Sequence, residues 1–177
     1  MPNWCENDLT VNGKPEDIAQ LVEFVKGPDG DFDFNNIVPM PKAFEGMCMG
    51  YATIGGKPYK FWRQNPFAGI EQEELDRLEA EHGATDWYSW VIKNWGTKWN
   101  LGKEVGMDFH NSRVDYTFST AWSPPIPVIA ALAKRFTKLK FSLKYYESGC
   151  AFKGYVKYKK GVLIEEGSGT YSGSREG

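Results

Sequence analysis

The side chains best suited to nucleophilic or metal chemistry are two histidines, His82 and His110, and three cysteines, Cys5, Cys48 and Cys150. Neither histidine has a second ligand at metal spacing. His82 follows Glu79 and Glu81 in an acidic segment and reads as a surface residue. Asp29, Asp31 and Asp33 alternate as oxygen ligands would, but Gly30 is misplaced for a calcium loop and no Glu closes the twelfth position. A cysteine nucleophile needs a base within reach. Cys5 or Cys150 could meet His110, yet no motif supports such a pair. The cysteines lack CxxC spacing, and each reads first as a small buried apolar residue of a reduced protein. Gly55-Gly56-Lys57 is too short for a phosphate loop and lacks the Ser or Thr that would bind magnesium. These residues predict no catalytic set, no metal site and no cofactor.

Two other groups are suited to binding. Four of the seven tryptophans, Trp87, Trp90, Trp95 and Trp99, fall within thirteen residues. Trp87, Trp90, Val91 and Trp95 have helical spacing and form an amphipathic face. The spacing predicts that Trp95 closes this helix into the core of an inserted lobe, with Gly96 as the C-cap. Lys98 and Trp99 lie beyond that cap and are the partner-binding candidates, since exposed Trp is enriched at binding hot spots. The second group is basic. Residues 134–160 hold nine Lys and Arg against one acid, Glu147, whereas residues 1–133 hold 11 Lys and Arg against 19 Asp and Glu. Lys140, Lys144, Tyr146, Lys153, Tyr155, Lys157 and Lys159 would interleave charge and aromatic rings, as single-stranded nucleic-acid binders do. A solvated lysine face guarding a sheet edge would give the same pattern.

Periodicity supplies the elements that must position these groups. Asn7 to Asn12 alternates as a half-buried strand, with Leu9 and Val11 on one side. Pro15 opens a helix whose apolar face is Ile18, Leu21, Val22 and Val25. Phe32-Asp33-Phe34 reads as a second strand, and residues 39–69 as a long irregular loop rich in Gly and Pro. An acidic helix over 71–81 and a second helix capped by Thr85-Asp86 follow. Val114 to Ala121 alternates strictly. Ile129, Leu132, Ala133 and Phe136 mark a helix, and strands at 139–146 and 152–159 precede a turn into Val162-Leu163-Ile164.

Without its middle, the chain reads strand, helix, strand, then strand, helix, strand, plus a final hairpin. The predicted fold class is therefore α+β: a ferredoxin-like split βαβ antiparallel sheet. A helical insertion over about 36–112 separates strands two and three. One domain is expected over 1–166, with a disordered tail over 167–177. If the apolar faces of the first and third strands cover the helices, Asp8, Thr10, Asp115, Thr117 and Ser119 face outward. That face offers no base-stacking platform of the kind an RNA-recognition sheet uses.

Four stretches carry a resemblance: Met1-Pro2-Asn3-Trp4-Cys5-Glu6-Asn7, Asn36-Ile37-Val38-Pro39-Met40-Pro41, Asn94-Trp95-Gly96-Thr97-Lys98-Trp99-Asn100, and Thr120-Ala121-Trp122-Ser123-Pro124-Pro125. Together they resemble the YubB-like family over nearly the whole chain to about residue 160. These are plasmid- and phage-encoded proteins with a ferredoxin-like domain and no established activity. The resemblance implies an accessory protein of a mobile element, and it brings no catalytic residues or iron–sulfur cluster with it.

The expectation is a non-catalytic, cytoplasmic protein that binds a macromolecular partner, a protein in preference to nucleic acid. The alternative is single-stranded nucleic-acid binding through the Lys/Tyr strands. No apolar run is long enough for a membrane-spanning helix, and no signal peptide is evident at Met1-Pro2-Asn3. The oligomeric state is left open.

Overall fold

The computed structural model describes residues 2–47, 52–54, 57–59, 61–62 and 65–173, with backbone pairing alone between 52 and 69. Cys48, Gly50, Gly55 and Gly56 of the expected irregular stretch lie outside the described residues, as do residues 174–177. The chain divides into two compact units, one formed by 1–39 with 94–177 and the other by 40–93.

The first unit is built on a six-stranded, wholly antiparallel sheet. Its strands are β1 (Trp4–Asn12), β6 (Gly106–His110), β7 (Arg113–Ala121), β8 (Lys140–Glu147), β9 (Phe152–Lys159) and β10 (Val162–Thr170), ordered β10-β9-β8-β1-β7-β6. Helix α1 (Pro15–Val25) follows β1, the short helix α2 (Phe34–Ile37) comes next, and α5 (Ile126–Arg135) joins β7 to β8. Alternation places Cys5, Leu9, Val11, Val114, Tyr116, Phe118, Phe141, Leu143 and Val156 on the buried side. There they meet Ile18, Leu21 and Val25 of α1 and Val128, Ile129 and Leu132 of α5, all fully buried. Phe32 anchors this core. It stacks on Phe118 at 5.7 Å and meets Tyr116 edge-on at 5.0 Å, geometry that favours aromatic pairs.

Three expectations change. Phe32-Asp33-Phe34 is not a strand. The Asp33 carboxylate accepts from the Asn35 amide at 2.7 Å and from Asn100 Nδ2 at 2.6 Å, so it caps α2. Both phenylalanines are buried without sheet pairing. The strand expected there is instead β6, joined to β7 by Asn111-Ser112 and paired from Gly106↔Thr117 to His110↔Arg113. The 40–93 unit therefore lies between α1 and β6 in the chain, not between the second and third strands of the sheet. Nor is it wholly helical. The expected disordered tail starts too early as well: residues 167–170 belong to β10, and Tyr171 donates its amide to the Ala151 carbonyl at 2.8 Å.

The second unit holds a 3-10 turn at Lys42–Phe44 and two short hairpins. These pair β2 (Ala52–Ile54) with β3 (Lys57–Tyr59), and β4 (Phe61–Trp62) with β5 (Asn65–Gly69). Helix α3 (Gln72–His82) ends on Gly83 at φ +70°, a left-handed C-cap. Helix α4 (Trp87–Asn94) starts on Asp86, whose carboxylate accepts from the Ser89 amide at 2.9 Å. Phe44, Leu78, Trp90 and Val91 are buried, and the His82 ring meets Phe44 edge-on at 5.4 Å. No helix among the described residues is long and apolar enough to cross a membrane.

One buried carboxylate ties the end of β8 to the turn that follows. Burial disfavours ionisation of Glu147. The backbone N–H groups of Cys150 and Gly149 donate to it, outweigh that cost, and hold its carboxyl below the usual range. Because the folded value is depressed, its stabilisation is complete above the unfolded value of about 4.3 and is lost as pH falls through the folded value. Glu147→Gln should lower stability by about 1–3 kcal/mol at pH 7. In urea melts the gap to the parent should narrow as pH drops below about 4; an unchanged gap at pH 3 would contradict this role.

Candidate functional site

The chain re-enters the first unit at Asn94 and docks at once on the exit of β7. Thr97, fully buried, donates its hydroxyl to the Ala121 carbonyl at 2.9 Å. The Ser123 hydroxyl donates to the Gly96 carbonyl, and the Trp122 amide to the Asn3 carbonyl at 2.9 Å. Gly96 has φ +81°, and a Cβ there would lie 2.8 Å from Pro127 Cδ and 2.9 Å from the Pro124 carbonyl. Glycine is required at this position both by conformation and by space.

This brace presents an aromatic shelf. Trp99 lies 6.3 Å from Trp4 and 6.5 Å from Trp122, ring centre to ring centre. The Lys98 ammonium sits 4.7 Å from the Trp99 ring and 5.0 Å from the Trp122 ring, within cation–π range. All three indoles stay between 41% and 48% exposed. Trp122 also adopts φ +68°, a conformation that a bulky residue enters only at a cost of about 1–3 kcal/mol.

Lys98 and Trp99 are thus brought together at the surface, as expected from their position beyond the Gly96 cap. Trp95 is not in the inserted unit. It is buried in the first, where its indole N–H donates to the Val38 carbonyl at 2.8 Å and its ring meets Phe34 at 5.8 Å. Sequence reasoning passed over Trp4 and Trp122 as shelf members. The signal that joins them is pairing: Trp4 stands opposite Ala121 in the β1–β7 register, and no local pattern shows that.

The seven basic-strand candidates also share one face. Lys140 pairs with Lys159, Lys144 with Tyr155, and Tyr146 with Lys153, while Lys157 stands opposite Ser142. Lys157 donates to the Glu165 carboxylate of β10 at 2.9 Å, so part of this charge is neutralised internally.

The thiol–imidazole pairing does not form. Burial pushes the Cys5 thiol up to about 12, which removes the thiolate that a nucleophile needs. His110 and Asn12 both stand opposite Arg113. The imidazole is therefore level with the far end of β1, seven residues or about 23 Å from Cys5. Cys150 lies in the turn beyond Glu147, which stands opposite Cys5, and so belongs to the Cys5 end of the sheet, away from His110. Asp33 is occupied as a helix cap, and no group of three His, Cys, Asp or Glu among the described residues is placed to hold a metal ion.

Gly96→Ala should lower stability by about 1–3 kcal/mol in urea melts. Gly102→Ala, where nothing lies within 4 Å of the added Cβ, should be close to neutral. Equal effects at the two positions would contradict the brace.

Residues 94–176 match the family model described as the ferredoxin-like domain in Api92-like protein. The match begins at Asn94, where the chain re-enters the first unit. Over 86 residues, 48% of this chain, the sequence is 31% identical to the uncharacterized protein YubB of Escherichia coli (strain K12). That match covers 59% of the relative, so the chain spans less than two thirds of the length of the curated protein it matches. The crystal structure of a protein api92 from Yersinia pseudotuberculosis superposes with a TM-score of 0.59 over 98% of this chain and 99% of that one, at 11% identity. At that identity the likeness is one of fold. The fold is ferredoxin-like, and the sequence similarity to a known family is carried by residues 94–176.

Proposed function

We propose that this is a non-catalytic, cytoplasmic accessory protein of a plasmid or phage, and that it acts by binding another protein on the Trp4–Trp99–Trp122 shelf. The observation that carries this reading is the shelf itself: three half-exposed indoles in ring contact around one lysine. Their exposed area is roughly 300 Å², the scale of the largest apolar patch on a typical monomer, which is often functional. A strained Trp122 supports it further, because backbone strain gathers at binding sites. Lys98 adds a charge beside apolar surface, the mixture found at hot spots. The mobile-element assignment rests on the resemblance to the YubB-like family. The non-catalytic reading rests on the buried Cys5 thiol and its distance from His110.

The test is partner capture from the host by the tagged full chain. Lys98→Ala with Trp99→Ala should abolish capture of any specific partner and leave the thermal midpoint within about 2 °C, as expected for exposed side chains. Lys144→Ala with Lys153→Ala should leave capture intact. Capture that survives the Lys98/Trp99 change would overturn the proposal.

A further inference from the structure

The face of the first unit's sheet that the helices leave uncovered is electrically divided. On β1, β7 and β6 it carries Glu6, Asp8, Asp115 and Asp108 against a single Arg113, which is paired with Asp115 at 2.6 Å. On β8 and β9 it carries five lysines; Lys157 is paired with Glu165 of β10, and Lys144 stands opposite Asp8 of β1. The positive strip therefore runs along the strands and is bordered by a row of carboxylates.

The strip is also a groove. A concavity of about 640 Å³ lies across β8, β9 and β10; Lys144, Lys153, Tyr155 and Lys157 line it, with Asp8 and Glu165 at its edges. It exists because β10 brings glycine to this face, Gly167 opposite Tyr155 and Gly169 opposite Lys153. A Cβ on Gly167 would come within 2.7 Å of the Tyr155 ring. The missing side chain lets that ring lie against the β10 backbone. At the groove's end, Tyr146 stacks on Tyr171 at 4.6 Å with ring planes 17° apart. Planar rings thus lie among ammonium groups.

We propose that this Lys/Tyr groove binds single-stranded nucleic acid, with the backbone running along β8 and β9 and bases stacking on the tyrosines. The lysine row matches a linear polyanion, and aromatic faces accept any base. Three strands at about 4.8 Å spacing make a strip only about 10 Å wide between outer strands. Beyond Asp8 at the groove's edge, a duplex would overhang onto Glu6 and Asp115; a single strand would not. The eight residues of β9 extend about 26 Å, room for a short run of nucleotides. This site is separate from the tryptophan shelf and does not depend on the protein-binding reading.

The test uses the full chain and a fluorescein-labelled 12-nucleotide oligo-dT read by anisotropy. Binding is expected at 50 mM salt. With four lysines on phosphates it should weaken roughly 50-fold at 200 mM. Lys144→Ala with Lys153→Ala should lower affinity and about halve the salt slope. Tyr155→Ala should lower affinity with the slope unchanged, whereas Tyr155→Phe should bind like the parent. Lys98→Ala with Trp99→Ala should have no effect, which separates this site from the shelf. Circular dichroism melts establish that each variant is folded. No binding at 50 mM salt would overturn the proposal. So would equal affinity for a duplex of the same length, or unchanged binding by the folded Lys144/Lys153 variant.

Discussion

The hydroxyl of Thr97 is the point on which the functional end of the first unit depends. It is fully buried and donates to the Ala121 carbonyl at the last residue of β7. A buried hydroxyl left without a partner would be costly, so this bond fixes where the returning chain must lie. Gly96 and Trp99 follow from it. Gly96 turns at positive φ against Pro124 and Pro127, and Trp99 is delivered between Trp4 and Trp122. Three indoles far apart in sequence meet because one short segment is pinned to the end of one strand. Their exposure has a matching cause: Trp122 leaves β7 in a left-handed conformation, and its amide is held by the Asn3 carbonyl.

The sheet imposes a second constraint, through parity. Antiparallel pairing from β10 to β6 assigns every second residue to the helix side or to the open side. The charge asymmetry of the chain thereby becomes a spatial one. Lysines that merely cluster over 134–160 in sequence become a strip on β8 and β9, and the carboxylates of β1, β7 and β6 become its border. The two surfaces argued for function arise differently. The shelf is made by long-range docking of a loop, the strip by periodicity alone.

That difference explains what was legible in the sequence. Strict alternation identified β1, β7, β8 and β9, and apolar helical spacing identified α1 and α5. The faces followed correctly, including the seven Lys and Tyr positions. Phe32-Asp33-Phe34 misled because two buried phenylalanines flank an aspartate in strand and cap alike. The bonds that its carboxylate accepts from the Asn35 amide and from Asn100, 67 residues away, show which it is. Strand β6 was passed over because all five of its residues are exposed. Alternating Met107 and Phe109 before Asn111-Ser112 could have revealed it as an edge hairpin strand. Trp4 and Trp122 could not be joined to Trp99 by any local rule. Trp95 was misplaced because helical spacing shows that a side chain is buried without showing in which core.

Site-specific photocrosslinking in living cells tests most directly whether the tryptophan shelf docks another protein. A photoreactive phenylalanine analogue would replace Trp99 in one chain and exposed Ile164 of β10 in another. A discrete covalent adduct with one protein is expected from position 99 and none from position 164. No adduct from position 99, or the same adducts from both positions, would contradict docking on the shelf.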